Sequence, residues 1–184
     1  YQTQIGLYTN IDAKEVPMDF SARFNATSRT YRYFINCSET PMAHQMPFSW
    51  AIRRRPNIET LNKMARVLHG EIDCTTFASS LDKSVSKFRY IEIAVFYPDG
   101  DYLVFEITAN AFLWKMVRRI VGVLVEIGRK KLPVTDITYF LSGYTNEPAR
   151  YTAPSSGLYL EHVYYEGEKI NREMTEIPGV LRLK

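Results

Sequence analysis

Between Asn110 and Gly128 the apolar positions recur with a helical period. At about 3.6 residues per turn, Leu113, Met116, Val117, Ile120, Leu124 and Ile127 gather on one side, with Lys115, Arg119 and Glu126 opposite. The pattern predicts a helix near residues 111–129, ending at Gly128 with Arg129-Lys130-Lys131 at the negative pole. Trp114, Val121 and Val125 widen the apolar arc until its border reaches Arg118, whereas Arg119 falls in the middle of the polar wedge. A half-buried guanidinium without an acceptor costs on the order of several kcal/mol. Arg118 therefore either meets a carboxylate or phosphate, or extends to solvent along the apolar edge. No acid lies one turn away, where Trp114, Lys115, Val121 and Gly122 stand.

Elsewhere strand patterns dominate. Gln4–Asn10 is short and strand-like, Asp12–Pro17 turns, and Arg23–Asn36 is a long run that sets Arg29, Tyr31, Tyr33 and Ile35 on one face. Arg89–Tyr97 and Tyr102–Ala109 bracket Pro98-Asp99-Gly100-Asp101 as a hairpin, with Ile91, Ile93 and Val95 alternating with Tyr90, Glu92 and Ala94. Asn57 caps a helix through Met64, Ala65 and Leu68 that ends at Gly70. A shorter helix over Thr135–Leu141, a loop over Gly143–Gly157 and a last strand over Leu158–Tyr165 complete the pattern. Antiparallel strands with segregated helices predict an α+β fold, a mostly antiparallel sheet with helices packed on one side.

Composition narrows the class. A chain of 184 residues with 46% hydrophobic and 14% aromatic content supports one globular core. The division expected is a domain over 1–166 and a polar tail over 167–184. A formal charge of +3 leaves any nucleic-acid affinity to clusters of cations. Cys37 and Cys74 make no disulfide framework, and His44, His69 and His162 lack metal-ligand spacing, so a reduced, metal-free, cytoplasmic protein is expected. No apolar run reaches the roughly 20 residues of a membrane span. The absence of an initiator methionine is expected of a fragment or a processed product.

Candidate chemistry centres on cations beside rings. Arg29 and Arg32 flank Tyr31 and Tyr33, a combination that binds phosphates and stacks bases, although tyrosine also occurs in strands for packing. Arg53-Arg54-Arg55 reads first as a solvated basic run, with RNA contact as the alternative. Lys83, Lys87 and Arg89 flank a serine-rich loop, Ser79–Ser86. No Gly-x-Ser-x-Gly elbow, phosphate-binding loop or dinucleotide fingerprint occurs.

Four segments together are specific. Phe20-Ser21-Ala22-Arg23-Phe24, Ala26-Thr27-Ser28-Arg29-Thr30-Tyr31-Arg32-Tyr33, Asn110-Ala111-Phe112-Leu113-Trp114-Lys115-Met116-Val117-Arg118 and Thr152-Ala153-Pro154-Ser155-Ser156-Gly157-Leu158-Tyr159-Leu160 resemble, in order and spacing, the tRNA pseudouridine synthase A family. The resemblance implies a pseudouridine synthase catalytic fold, a homodimeric parent enzyme, and cofactor-free isomerisation of uridine to pseudouridine in the anticodon arm of tRNA. It assigns Tyr31 to packing against the target base and Arg118 to pairing with a catalytic aspartate. Phe20, Ser21, Ala22, Arg23, Phe24 and the loop around Lys83 match regions of tRNA contact, with Arg29 and Arg32 as further RNA-binding candidates.

Departures accompany the match. The family's Gly-Arg-Thr-Asp-x-Gly-Val-His segment, which carries the nucleophile, does not occur in these 184 residues. Cys74 stands where relatives usually have phenylalanine, and Asn146 and Arg150 stand where an arginine and a small residue are usual. The chain thus resembles the C-terminal domain of such an enzyme, with a non-catalytic RNA-binding module on the same fold as the alternative.

Overall fold

Burial of one face of a long strand organises the molecule. The computed structural model describes residues 14–130, 135–143 and 145–170. Strand β1 (Ser28–Asn36) lies inside a six-stranded mixed sheet with β2 (Trp50–Ala51), β3 (Gly70–Asp73), β4 (Phe88–Asp99), β5 (Tyr102–Ala109) and β6 (Leu158–Tyr164). The order is β2-β1-β5-β4-β3, with β6 also pairing β1. β1 and β2 are parallel and the other pairings antiparallel. Helices α1 (Ile58–Arg66), α2 (Met116–Lys130) and α3 (Thr135–Ser142) share one core with Tyr33, Ile35, Leu103, Phe105 and Ile107. Phe34, Tyr102 and Val104 point the other way into a smaller cluster, so the expected one-sided α+β arrangement is present.

Two local devices set the register of the central hairpin. Gly100 at φ +56° turns β4 into β5 through a two-residue loop, as a conformation awkward for L side chains requires. Between Ile91 and Ile93 the pairing with β5 slips by one residue. Such a bulge inverts the alternation beyond it. Ile91, Ala94 and Phe96 consequently pack with the helix-side core, and Ile93 and Val95 do not join them. The expected common face for Ile91, Ile93 and Val95 is corrected on that ground.

The α1 cap follows its sequence signal: Thr60 N–H donates to Asn57 Oδ1 at 2.8 Å. The helix stops at Arg66, and Gly70 at φ +95° opens β3, an edge strand too short to show a periodicity.

α2 differs more. It begins at Met116, because Asn110–Lys115 leaves β5 through an irregular turn that ends with Lys115 at φ +66°. Leu113, Trp114 and Lys115 therefore precede the helix. The helix is also covered on more than one side: it packs on the sheet and α1, and also meets the single-turn helices Thr75–Phe77 and Glu147–Tyr151. Val123, Val125 and Arg119 are consequently buried along with Ile120 and Leu124. The solvated wedge expected around Arg119 is absent, since loops brought from distant sequence cover it.

The strand expected over Gln4–Asn10, the start of the Asp12–Pro17 turn and most of the tail over 167–184 lie outside the described residues. Among the described residues no helix is long and apolar enough to cross a membrane.

Gly122 marks the closest approach within the fold. A Cβ there would overlap the Tyr151 carbonyl oxygen and sit 2.7 Å from its carbon, backbone atoms that cannot rotate aside. Gly122→Ala should therefore destabilise the protein by at least about 2 kcal/mol, against a small gain from helix propensity. Differential scanning calorimetry should show a fall of several degrees; an unchanged or raised melting temperature would refute this packing.

Candidate active site

A cleft of about 670 Å³ opens where β1, the turn before α2 and the first turn of α2 meet. Tyr31 enters from the strand, and Phe112, Trp114 and Lys115 from the turn. Arg118 enters from the helix, Arg23 and Lys83 from two loops, and Ser155 and Leu158 from the start of β6 and the residues before it.

Arg118 is half-buried and anchored through its own backbone and side chain. Its carbonyl accepts from Ala153 N–H at 3.0 Å, while its Nε donates to the Ala153 carbonyl at 2.6 Å. That exchange leaves the two terminal guanidinium nitrogens. Among the described residues no carboxylate forms an ion pair with Arg118. A guanidinium that lines a cleft and is held through Nε alone suits bidentate recognition of a planar carboxylate.

Arg119 does something different from what its sequence position implies. It is 7% exposed and donates to the Ala78 carbonyl through Nη1, fastening α2 to the segment after Phe77. Neighbouring arginines thus serve the cleft and the core respectively.

Tyr31 stands half-buried with its ring edge-on to Phe112, centroids 5.0 Å apart and planes at 85°. Burial pushes its hydroxyl pKa above the ordinary value, partly opposed by the Arg29 charge, so the phenol stays protonated at neutral pH. Tyr33, next on the same face, is fully buried and donates to the Pro154 carbonyl at 2.7 Å. Burial raises its pKa well beyond the usual range, against the nearby Arg118 charge. Arg118 and Tyr33 therefore grip consecutive carbonyls, Ala153 and Pro154. Gly157 completes this grip, because a Cβ there would meet the Phe34 carbonyl at 2.7 Å and the Tyr33 ring at 2.8 Å.

The remaining expected RNA-binding residues divide. Arg23 is exposed, lines the cleft and lies 5.5 Å from the centroid of the exposed Phe24 ring. Lys83 lines the same cleft from the opposing loop. Arg29 is committed to architecture, since its guanidinium donates to the carbonyls of Arg23 at 2.6 Å, Asn110 at 2.8 Å and Ala26 at 3.0 Å. It holds the Arg23 loop against the end of β5. Phe20 packs on Tyr165 at 5.2 Å, whose hydroxyl donates to the Ala22 carbonyl. Ser21 N–H donates to Asn25 Oδ1 at 2.7 Å and its Oγ accepts from Phe24 N–H, which shapes the loop internally.

Arg32 is not brought to the cleft. It is 2% exposed on the opposite face of β1, with Nε 2.7 Å from Glu106 Oε2 and Nη1 3.5 Å from Glu161. Strand alternation sends Tyr31 and Arg32 to opposite faces, and the sheet lies between them. Arg55 is likewise occupied, donating to the Tyr102 and Gly100 carbonyls at the hairpin end.

Other groups escaped the sequence reading. Asp82 is held below the usual carboxylate range: burial acts to raise it, but hydrogen bonds from Lys87, Trp114 N–H and Ser84 outweigh that effect. Trp114 is 51% exposed on the cleft, with Lys115 Nζ 5.5 Å from its ring. The signal missed was the irregular turn, because a helical pattern starting at Leu113 conceals it. Cys74 is buried in the helix-side core, and burial pushes its thiol up to about 12, which leaves it unreactive at neutral pH. Asn146 and Arg150 line a separate surface hollow of about 360 Å³.

Known proteins are similar to this chain. The model of a family described as tRNA pseudouridine synthase matches residues 64–166. The tRNA pseudouridine synthase A of Treponema denticola is 53% identical over 158 residues, covering 84% of this chain and 58% of the relative. Its counterpart in Treponema pallidum is 46% identical over 130 residues, covering 71% of this chain and 46% of the relative. That of Borreliella afzelii is 40% identical over 153 residues, covering 83% and 62% respectively. The chain thus spans less than two thirds of the length of these relatives. A match across more than half of its residues, including β4, β5, α2 and β6, shows that this chain belongs to the tRNA pseudouridine synthase family.

Proposed function

We propose that this chain is the C-terminal portion, residues 1–166 with a short polar tail, of an enzyme that isomerises uridine to pseudouridine in the anticodon arm of tRNA. The observation that carries the reading is Arg118, which lines the same cleft as Tyr31 and has no carboxylate partner among the described residues. The partner carboxylate, in this reading, comes from a segment outside these 184 residues. The complete enzyme would act as a homodimer in the cytoplasm.

The chemistry breaks the N1–C1′ glycosidic bond and forms a C5–C1′ bond, with the C5 proton lost and one gained at N1. It is a rearrangement within the nucleoside, so it consumes no external oxidant or reductant. The detached base must be held while it turns. A carboxylate acts at the sugar or base, and Arg118 keeps it ionised and aimed. Tyr31 offers a ring to the uracil. The Tyr31 hydroxyl, protonated at neutral pH, would take the C5 proton only as its own proton passes to the carboxylate. Flipping the uridine from its stack costs a few kcal/mol, which the Tyr31 ring and the phosphate contacts of Arg23 and Lys83 offset.

In the full-length enzyme, Arg118→Lys should lower kcat by roughly a hundredfold or more, since a lysine presents no fork. Arg119→Lys should cost stability through the lost Ala78 contact while the folded protein keeps its turnover. Single-turnover pseudouridine formation, assayed well below each melting temperature, compares them; equal losses would sink the assignment of Arg118. Tyr31→Phe should bind tRNA within about threefold of the parent yet slow the chemical step, because the ring stays and the hydroxyl goes. An intact rate would confine Tyr31 to stacking. The 184-residue chain alone should yield no pseudouridine while retaining weak, salt-sensitive tRNA affinity. Product above a no-enzyme control would mean that the carboxylate lies within this chain.

A further inference from the structure

Two loops that meet on the cleft rim are joined through one side chain. Asp82 lies in the loop between the Thr75–Phe77 turn and β4, and its side chain is 6% exposed. Oδ1 accepts from Lys87 Nζ at 2.6 Å and from Ser84 N–H at 2.9 Å, which closes its own loop. Oδ2 accepts from Trp114 N–H at 2.6 Å, which reaches the turn before α2. The same two segments are joined again where Ser79 N–H donates to the Trp114 carbonyl at 2.9 Å. Both backbone groups of Trp114 are therefore held by the Ser79–Lys87 loop.

The clamp acts beside a strained residue. Lys115 follows immediately at φ +66°, a left-handed conformation that is costly for a non-glycine residue and persists only when its surroundings dictate it. On its far side Lys115 offers its carbonyl to Arg119 N–H at 3.0 Å, an early bond of α2. With Trp114 fixed before it and the helix after it, Lys115 has little freedom to relax. Its ammonium is thereby kept over the Trp114 ring on the cleft, and Lys83, adjacent to Asp82, is kept on the opposing loop.

We propose that Asp82 is a positioning residue for RNA binding: its carboxylate locks the loop carrying Lys83 to the turn carrying Trp114 and Lys115, so that the cleft rim is set before RNA arrives. This rests on the cleft being the RNA site. Preorganised cations and rings spare RNA the entropic cost of ordering two loops on binding. The effect belongs to binding and not to the chemical step, because Arg118 is fixed independently through its reciprocal hydrogen bonds with Ala153.

Asp82→Asn in the full-length enzyme tests the proposal, since the amide keeps the size and loses the charge. With an unmodified tRNA transcript as substrate, KM should rise about tenfold and kcat should fall by less than about threefold, the size expected from losing a charge-assisted hydrogen bond. Lys83→Ala should raise KM about fivefold, as one lost phosphate contact would. The double variant should exceed Asp82→Asn by no more than about twofold, because a mobile Lys83 has already lost most of its contribution. Lys87→Gln, which removes the ammonium that bonds both Oδ1 and the Asp82 carbonyl and leaves the carboxylate in place, should raise KM about threefold and serves if Asp82→Asn melts too early for kinetics. A fall in melting temperature with KM unchanged, a loss confined to kcat, or a fully multiplicative double variant would each overturn the positioning role. If Lys83→Ala leaves KM unchanged, the cleft reading itself fails; if Lys83→Ala acts and neither loop variant does, the fault lies with Asp82 alone.

Discussion

The site depends on how closely the backbone over residues 151–157 lies against α2 and β1. Gly122 admits the Tyr151 carbonyl where no side chain would fit, and Gly157 does the same against Phe34 and the Tyr33 ring. Between these two points Arg118 and Tyr33 take the carbonyls of Ala153 and Pro154. A segment with no regular strand or long helix is thus fixed by two contacts without side chains and by directed hydrogen bonds, among them those of Arg118 and Tyr33 and the one Ala153 N–H returns to the Arg118 carbonyl. Since buried backbone carbonyls must find donors, the same bonds that satisfy this segment also orient the arginine. Positioning the guanidinium and holding the loop are one interaction.

The same packing sorts the cations. Of those in or near the candidate segments, Arg32 is committed to Glu106 across the sheet, Arg29 to three carbonyls and Arg119 to the Ala78 carbonyl. Breaking the buried arrangements of Arg32 and Arg119 would leave uncompensated groups, so they are parts of the scaffold. Arg23, Lys83 and Lys115 bring their charge to the cleft, beside Phe24, Leu81 and Trp114. A net charge of +3 is therefore a poor guide to the local field. Cations committed to carbonyls and carboxylates leave a smaller set to meet phosphate, and that set gathers at the cleft.

The α2 region separates two kinds of information in the chain. Periodicity identifies a buried helix and marks Arg118 as an arginine in need of a partner, because hydrophobic spacing is local and survives any tertiary arrangement. It misplaces the helix start and the surroundings of Arg119. The left-handed Lys115 follows a residue held by Asp82, over thirty positions earlier, Arg119 is tied to the Ala78 carbonyl, and α2 is met by the single-turn helices at 75–77 and 147–151. The β4 bulge behaves similarly: alternation is visible, but a single inserted residue reverses it only by reference to the partner strand.

Legible in the chain itself were the α+β class, the order of the helices and the longer strands from Arg23 to Tyr165 (not the short β2 and β3), the capped α1, the hairpin around Gly100, and the four segments that resemble a tRNA pseudouridine synthase. These are encoded by spacing, turn chemistry and residue order, all of which act over a few neighbouring positions. Folding settled which cations are committed to the scaffold, which face of β1 meets the cleft, and that Tyr31, Arg118, Arg23 and Lys83 converge there. It also gave Asp82 two oxygens that serve different segments. Convergence of this kind depends on distances between residues far apart in the chain, and those distances exist only once the sheet has paired and α2 has docked.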